Sequence, residues 1–114
     1  MRIEVKSRNG VVVDDDLRDR IEKRFEKVAK QVSELAELVV ELSEERNPSI
    51  KESQVAEANL RLKGTTLRAR DAAPSMAQAV NLVADDMARQ VKRHREKRRG
   101  RRTAAKTEPR PAAS

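Results

Sequence analysis

The residues with the clearest capacity for chemistry are the basic side chains of segment 89–102. This segment carries nine Lys and Arg residues and one acid, Glu96. Because the whole chain has a formal net charge of +7, the remainder is nearly neutral and the positive field comes from this segment. Such groups bind phosphates and release counterions, so the expected ligand is a polyanion such as a nucleic acid. A solvated helix end is the alternative, although such surfaces usually mix both signs of charge.

Two further groups of basic residues could extend this surface, one on the first predicted helix and one on a predicted hairpin. They are Arg20, Lys23, Arg24, Lys27 and Lys30, and Arg61, Lys63, Arg68 and Arg70. The helix also carries acids, and surface pairs at helical spacing, such as Arg18 with Glu22, account for many of these charges without a ligand. Both interpretations stay open for these residues.

Phe25 is the only aromatic residue, which limits how a nucleic acid could be recognised. Modules that read single strands stack bases on exposed aromatic side chains, whereas the hydrophobic pattern places Phe25 in the core. The GXXG loop of a KH domain is missing, since segment 63–66 has one glycine. The sequence therefore favours recognition of the RNA backbone and of folded RNA shape over base-by-base reading.

The sequence offers little for catalysis or metal binding. His94, the only histidine, lies in the arginine-rich segment, and no pair of carboxylates is obviously focused on it. The acids at 14–16 suit the start of a helix, and those at 85–86 suit a solvent-facing surface. Cysteine is absent, which removes disulfides, thiol nucleophiles and Cys-based zinc sites. We expect no enzyme activity, no metal, no cofactor and no small-molecule substrate.

Neither an export signal nor a membrane-spanning segment is indicated. The N-terminus lacks an apolar core, and no stretch approaches the roughly 20 apolar residues that a transmembrane helix needs. With 114 residues, 37% of them hydrophobic and 39% charged, the chain fits one domain with a thin aliphatic core. We expect a cytoplasmic protein without a membrane partner.

The elements that position the charges follow from hydrophobic periodicity. Alternating apolar residues predict strands, and spacings of three or four predict helices. The predicted order is β-α-β-β-β-α, with elements at roughly 2–8, 15–33, 35–44, 56–63, 66–70 and 76–99. This order predicts an α+β fold in which two helices pack on one face of a four-stranded sheet. The first two strands should be parallel if they are adjacent.

The last helix should carry its basic end into solvent, because its apolar spacing fades after Val91. Gly100 is the expected end of this helix. The chain is therefore divided into a binding domain, residues 1–99, and a basic, Pro-containing disordered tail, residues 100–114.

Three segments resemble the bacterial ribosome hibernation promoting factor family, which includes the ribosome-associated inhibitors. They are MRIEVKSRN at the start, NPSIKESQVAEANLRLKGTTLRAR in the middle and SMAQAVNLVADDMARQVKRHREK in the last helix. The most specific part is Lys63-Gly64, followed by the strand at 66–70 and a helix near Met76. Two positions depart from the family pattern: Ala77 stands where an aromatic is common, and Ser75 stands where an acidic cap is usual.

The resemblance implies a fold similar to a double-stranded RNA-binding domain, seated on the small ribosomal subunit between head and body. There the protein would cover the decoding region of idle ribosomes and block messenger and transfer RNA, as a stress or stationary-phase inhibitor. Long family members carry a second domain that pairs ribosomes, and we expect a short-type member that is a monomer off the ribosome. The alternative is a general nucleic-acid or nucleoid-binding protein that uses the basic last helix.

By position, the resemblance places the RNA contacts on basic residues of the hairpin, the last helix and the first helix. The basic run adds two further arginines of the last helix. The predicted RNA-binding set is Arg68, Arg70, Arg89, Lys92, Arg93, Arg95, Lys97, Arg98, Arg99, Lys23, Lys27 and Lys30.

Overall fold

The computed structural model describes residues 1–8, 10–45 and 53–107, with side chains described as far as Lys97. These ranges form a four-stranded sheet and three helices. The elements are β1 (Arg2–Ser7), α1 (Asp15–Arg24), α2 (Glu26–Ala29), β2 (Glu37–Glu44), β3 (Gln54–Leu62), β4 (Thr65–Ala73) and α3 (Met76–Thr107). The predicted α+β class is confirmed. None of the described helices combines the length and apolar composition of a membrane-spanning segment.

The sheet has the order β1-β2-β3-β4. Strands β1 and β2 pair in parallel, as predicted for adjacent first strands, and the other two pairs are antiparallel. Gly64 forms the turn between β3 and β4 with a φ of 81°, a conformation that glycine adopts without steric cost. Strand β4 continues through Asp71 to Ala73, so the predicted end near Arg70 is too early.

The core lies on one face of the sheet, where the helices pack. Val40 of β2 pairs with Val5 and Ala58 in the register, and Ala58 pairs with Ala69 of β4. Small side chains in the middle of β3 and β4 leave room for the bulkier apolar residues of α3. The helices, with the residue between α1 and α2, contribute the buried residues Ile21, Phe25, Val28, Ala79, Val80, Val83, Ala84, Met87 and Val91.

The single first helix predicted for 15–33 is wrong. It begins as predicted, because Asp14 Oδ1 accepts a hydrogen bond of 2.8 Å from the Leu17 N–H. It ends at Arg24, since Phe25 leaves the helical conformation with a ψ of 4°, and a one-turn α2 follows. Phe25 and Val28 stay buried across the break, so the apolar spacing did not reveal it.

The predicted helix end at Gly100 is also wrong, because α3 runs to Thr107. Ser75 caps its start by accepting a hydrogen bond of 3.2 Å from the Gln78 N–H. A helix of 32 residues is about 48 Å long. One glycine inside a helix costs only about 1 kcal/mol relative to alanine, which the neighbouring helix-favouring residues can offset. Residues 100–107 of the predicted disordered tail, 100–114, therefore lie in this helix, whereas residues 108–114 lie outside the described residues. The division of the chain at residue 99 stays a prediction.

Candidate nucleic-acid interface

A cationic groove runs between α3 and the turn that joins β3 to β4. Its volume is about 920 Å³ and it is open to solvent on one side. Four basic side chains line it, together with one acid and several polar and apolar groups. The lining residues are Lys63, Gly64, Thr65, Leu67, Asp86, Arg89, Gln90, Arg93, His94 and Lys97.

Helical spacing and one hydrogen bond place the cations in this groove. Arg89, Arg93 and Lys97 are four residues apart, which puts them on one face of α3 in successive turns. The Gln90 side-chain amide donates a hydrogen bond of 2.6 Å to the Arg68 carbonyl and fixes this face against β4. Lys63 approaches from the opposite wall. The groove therefore presents a row of cations with the spacing of helical turns.

The acid in the groove, Asp86, belongs to a small cluster with Asp71 of β4. Asp71 lies on the helix-facing side of the sheet, and its Oδ2 atom is buried without a hydrogen-bond partner in the described part of the chain. Burial, and then the Asp86 carboxylate, raise the pKa of Asp71, while the Arg89 guanidinium opposes this. The Arg89 charge thus acts on Asp71, although neither Arg89 nor Arg93 nor Lys97 forms an ion pair among the described residues.

Arg68 and Arg70 do not line the groove with their side chains. They alternate along β4 with Leu67 and Ala69, so they extend from the uncovered face of the sheet. Arg70 is opposite Glu57 in the register. Elsewhere this face mixes both signs of charge, as in the 3.0 Å ion pair between Arg8 and Glu41. The face carries cations but has no continuous cationic surface.

Arg95 lies on the other flank of α3, where its guanidinium donates a hydrogen bond of 3.2 Å to the Gln31 side-chain carbonyl. Lys92 precedes it by three residues and shares that flank by helical spacing. The flank faces the segment after α2, and these two side chains do not line the cationic groove.

The lysines of the first two helices form a separate surface. Lys23, Lys27 and Lys30 are exposed, while Ile21 and Val28 on the opposite side are buried. Lys23 also lies beside acids of α1 in a shallow depression. The predicted positions Arg98 and Arg99 belong to α3, and their side chains lie outside the described set.

Lys63 is the groove cation that the predicted RNA-binding set left out. It belongs to the hairpin group of basic residues, whose charges the sequence also explains by surface pairing. The pair Lys63-Gly64 is the sequence feature that indicates this position. A glycine with a positive φ turns the hairpin tightly and brings the preceding side chain to the end of the sheet.

His94 lines the groove and is half-buried. Its Nε2 atom is buried and has no hydrogen-bond partner within the described residues. Among those residues no group of three or more His, Cys, Asp or Glu side chains is placed to hold a metal ion. The arrangement is suited to binding anions by charge.

Comparisons with known proteins relate this chain to proteins that are named for the ribosome. Residues 3–99 match the family model described as Sigma 54 modulation protein / S30EA ribosomal protein. A ribosome hibernation promotion factor from Picosynechococcus sp. is 31% identical over 96 residues, which cover 83% of this chain and 50% of that protein. The chain therefore spans about half the length of this relative.

Two solved structures have a similar fold. A ribosomal subunit interface protein from Coxiella burnetii has a TM-score of 0.68 and 20% identity, with 84% of this chain and 99% of that chain covered. The N-terminal domain of Thermus thermophilus Protein Y has a TM-score of 0.69 and 24% identity, with 82% and 99% covered. At these identities the likeness concerns the fold.

Proposed function

The chain belongs to the Sigma 54 modulation protein / S30EA ribosomal protein family, and from this premise we propose that it is a ribosome hibernation factor that binds small-subunit ribosomal RNA. The resemblance to hibernation promoting factors noted in the sequence is confirmed by the family match and by the name of the relative. The proposed partner is the small ribosomal subunit of the cytoplasm, and binding requires no chemical step.

The observation that carries the proposal is the cationic groove. Lys63, Arg93 and Lys97 line one open channel, and none of them forms an ion pair in the described part of the chain. Unpaired cations at helical spacing suit the phosphates of a folded RNA, which are fixed by the shape of that RNA. We assign the principal RNA contacts to these three residues and to Arg89.

The other predicted positions have secondary roles in this proposal. Arg68 and Arg70 would meet RNA that passes over the open sheet face, and Lys92 and Arg95 would meet RNA on the far flank of α3. Lys23, Lys27 and Lys30 are exposed on a third surface, formed by α1, α2 and the residue that follows α2. Contact with the whole predicted set would need RNA on several sides of the domain, as the walls of a ribosomal channel would provide.

The position of α3 supports a role in blocking the messenger channel. Among the described side chains of α3, Val91 is the last that is fully buried, and the helix continues for 16 residues to Thr107. This extension is about 24 Å long at 1.5 Å per residue. We propose that it occupies the decoding region of idle ribosomes, where its bulk and charge exclude messenger and transfer RNA.

Sucrose-gradient sedimentation with purified ribosomal subunits at near-physiological salt tests this function. We expect the protein to migrate with the small subunit and to be displaced by excess messenger RNA. Equal affinity for duplex DNA and for ribosomal RNA would instead favour the general nucleic-acid-binding alternative. Protein that remains at the top of the gradient would contradict ribosome binding.

A further inference from the structure

A second groove, with a more apolar lining, lies on the opposite flank of α3 from the row of cations. Its volume is about 500 Å³, and the segment after α2, the end of β3 and α3 form its walls. Its apolar lining is Val32, Leu35, Ala36, Leu62 and Val91. We call it the apolar groove.

Leu35 is the most exposed apolar residue of this groove, with 90% of its surface accessible. Local hydrogen bonds hold it there. The Leu35 N–H donates to the Ser33 hydroxyl at 3.1 Å, and the Ala36 N–H donates to the Ser33 carbonyl at 3.0 Å. The Arg2 N–H then donates to the Ala36 carbonyl at 2.9 Å, which joins the turn to β1. A fixed turn thus presents a large apolar side chain to solvent.

The rim of the apolar groove is cationic. Arg61, Lys63 and Arg95 line it, against one acid, Glu37. The Arg95 guanidinium is held at the rim by its hydrogen bond to Gln31. An apolar floor with a positive rim is complementary to a ligand that has a flat, weakly polar body and a negative backbone.

The apolar groove is also continuous with the cationic groove. Lys63 and His94 line both, so a chain of phosphates bound along Arg93 and Lys97 would pass the mouth of the apolar groove. An unstacked base attached to that backbone could therefore enter the apolar groove directly and contact its apolar floor. Extruded bases are commonly held between apolar or aromatic side chains in this way.

We propose that the apolar groove holds one unpaired nucleobase of the bound RNA, against Leu35 and Val32, while Lys63 and Arg95 hold its flanking phosphates. This inference rests on the proposed function and deepens it, because it adds one base contact to a surface that otherwise binds backbone. The contact is apolar and takes a single base, so it provides little sequence discrimination.

The test compares binding of octa-adenylate RNA with binding of an abasic ribose-phosphate strand of the same length. Both probes carry the same phosphates, and the difference in affinity therefore measures base contact. We expect the wild-type protein to prefer octa-adenylate about fivefold, near the lower end of values for stacking because the floor is aliphatic. Leu35→Ser should abolish the preference, and Leu35→Phe should increase it.

Val12→Ser is the matched control, because Val12 is 79% exposed and does not line the groove. This variant should keep the wild-type preference. Equal binding of both probes by the wild type, with strong salt dependence, would overturn the base contact and leave the proposed RNA binding intact. Absence of binding to both probes and to ribosomal RNA would overturn the proposed function itself.

A protein partner gives a different pattern. If Leu35→Ser weakens binding to intact small subunits but leaves octa-adenylate binding unchanged, the occupant is an apolar side chain of a ribosomal protein. That result would refute the nucleobase proposal.

Discussion

Replacing two groove cations, Arg93→Ala with Lys97→Ala, should reduce the salt dependence of RNA binding by a calculable amount. Each neutralised phosphate contributes about 0.7–0.9 to the slope of the logarithm of affinity against the logarithm of salt concentration. Both side chains are exposed, line the groove and have no ion pair among the described residues, so each is available to one phosphate. Losing both should lower the slope by about 1.4–1.8.

Over a fourfold rise in salt, from about 50 to about 200 mM, this change in slope corresponds to a factor of about 7–12 in affinity. The wild-type protein should therefore lose about 7–12 times more affinity than the double variant over that range. Fluorescence anisotropy with labelled ribosomal RNA fragments measures both affinities. The fold should be unaffected, because neither residue contributes to the core.

Arg2→Ala with Lys6→Ala is the matched control for this experiment. It removes the same charge from β1, which lies at the opposite edge of the sheet from β4 and does not line the groove. The control should keep nearly the wild-type slope. If both double variants reduce the slope equally, the charge of the whole protein governs binding, and the assignment of the groove is refuted.

Three further predictions concern the scaffold. Gly64→Ala should lower the free energy of unfolding by about 1–2 kcal/mol in chemical denaturation, because alanine is strained at a φ of 81°. Steric contact adds nothing to this cost, since a Cβ would meet no atom within 4 Å among the described residues. An unchanged free energy of unfolding would contradict the positive-φ turn. Phe25→Ala should cost about 3–5 kcal/mol in urea denaturation, because the ring is fully buried, and a cost below 1 kcal/mol would contradict that packing. The pKa of Asp71 is raised in the folded state, so the folded protein keeps the carboxyl proton to a higher pH than the unfolded chain does. The Asp71 carboxylate therefore destabilises the fold as the pH rises above 3.8, the ordinary pKa of this group. Asp71→Asn should therefore raise the melting temperature at pH 7. The increase should disappear below pH 3.8, where Asp71 is protonated in both states, and an equal increase at pH 3 would contradict the reasoning.

The fold was largely predictable because its sheet follows simple periodicity. Leu38, Val40 and Leu42 alternate with exposed or half-buried residues, and the same holds for the β3–β4 hairpin around Gly64. The parallel pairing of β1 with β2 follows from a helical connection between adjacent strands. These features follow from the periodicity within each strand and from the connections between successive strands.

The helix boundaries were less predictable, for two physical reasons. The break at Phe25 preserves the apolar spacing on both sides, so no periodic signal marks it. Gly100 does not end α3, since the residues around it favour a helix and one glycine within a helix costs only about 1 kcal/mol.

The candidate site was predictable in composition but not in arrangement. The charge count identified segment 89–102, and helical spacing is enough to align Arg89, Arg93 and Lys97. The contribution of Lys63 depends on the tertiary contact of α3 with β4, which the Gln90 hydrogen bond fixes. Arg68, predicted by position to bind RNA, projects from the other face of the sheet, a consequence of strand register.

Ribose footprinting of ribosomal RNA in small subunits, with and without the protein, tests the central claim most directly. If the groove binds RNA in the decoding region, the wild-type protein should protect a confined set of small-subunit riboses. The Arg93→Ala with Lys97→Ala variant should lose that protection at moderate salt. Protection that is scattered over both subunits, or that persists in the variant, would contradict the assignment of this groove as the ribosome-binding site.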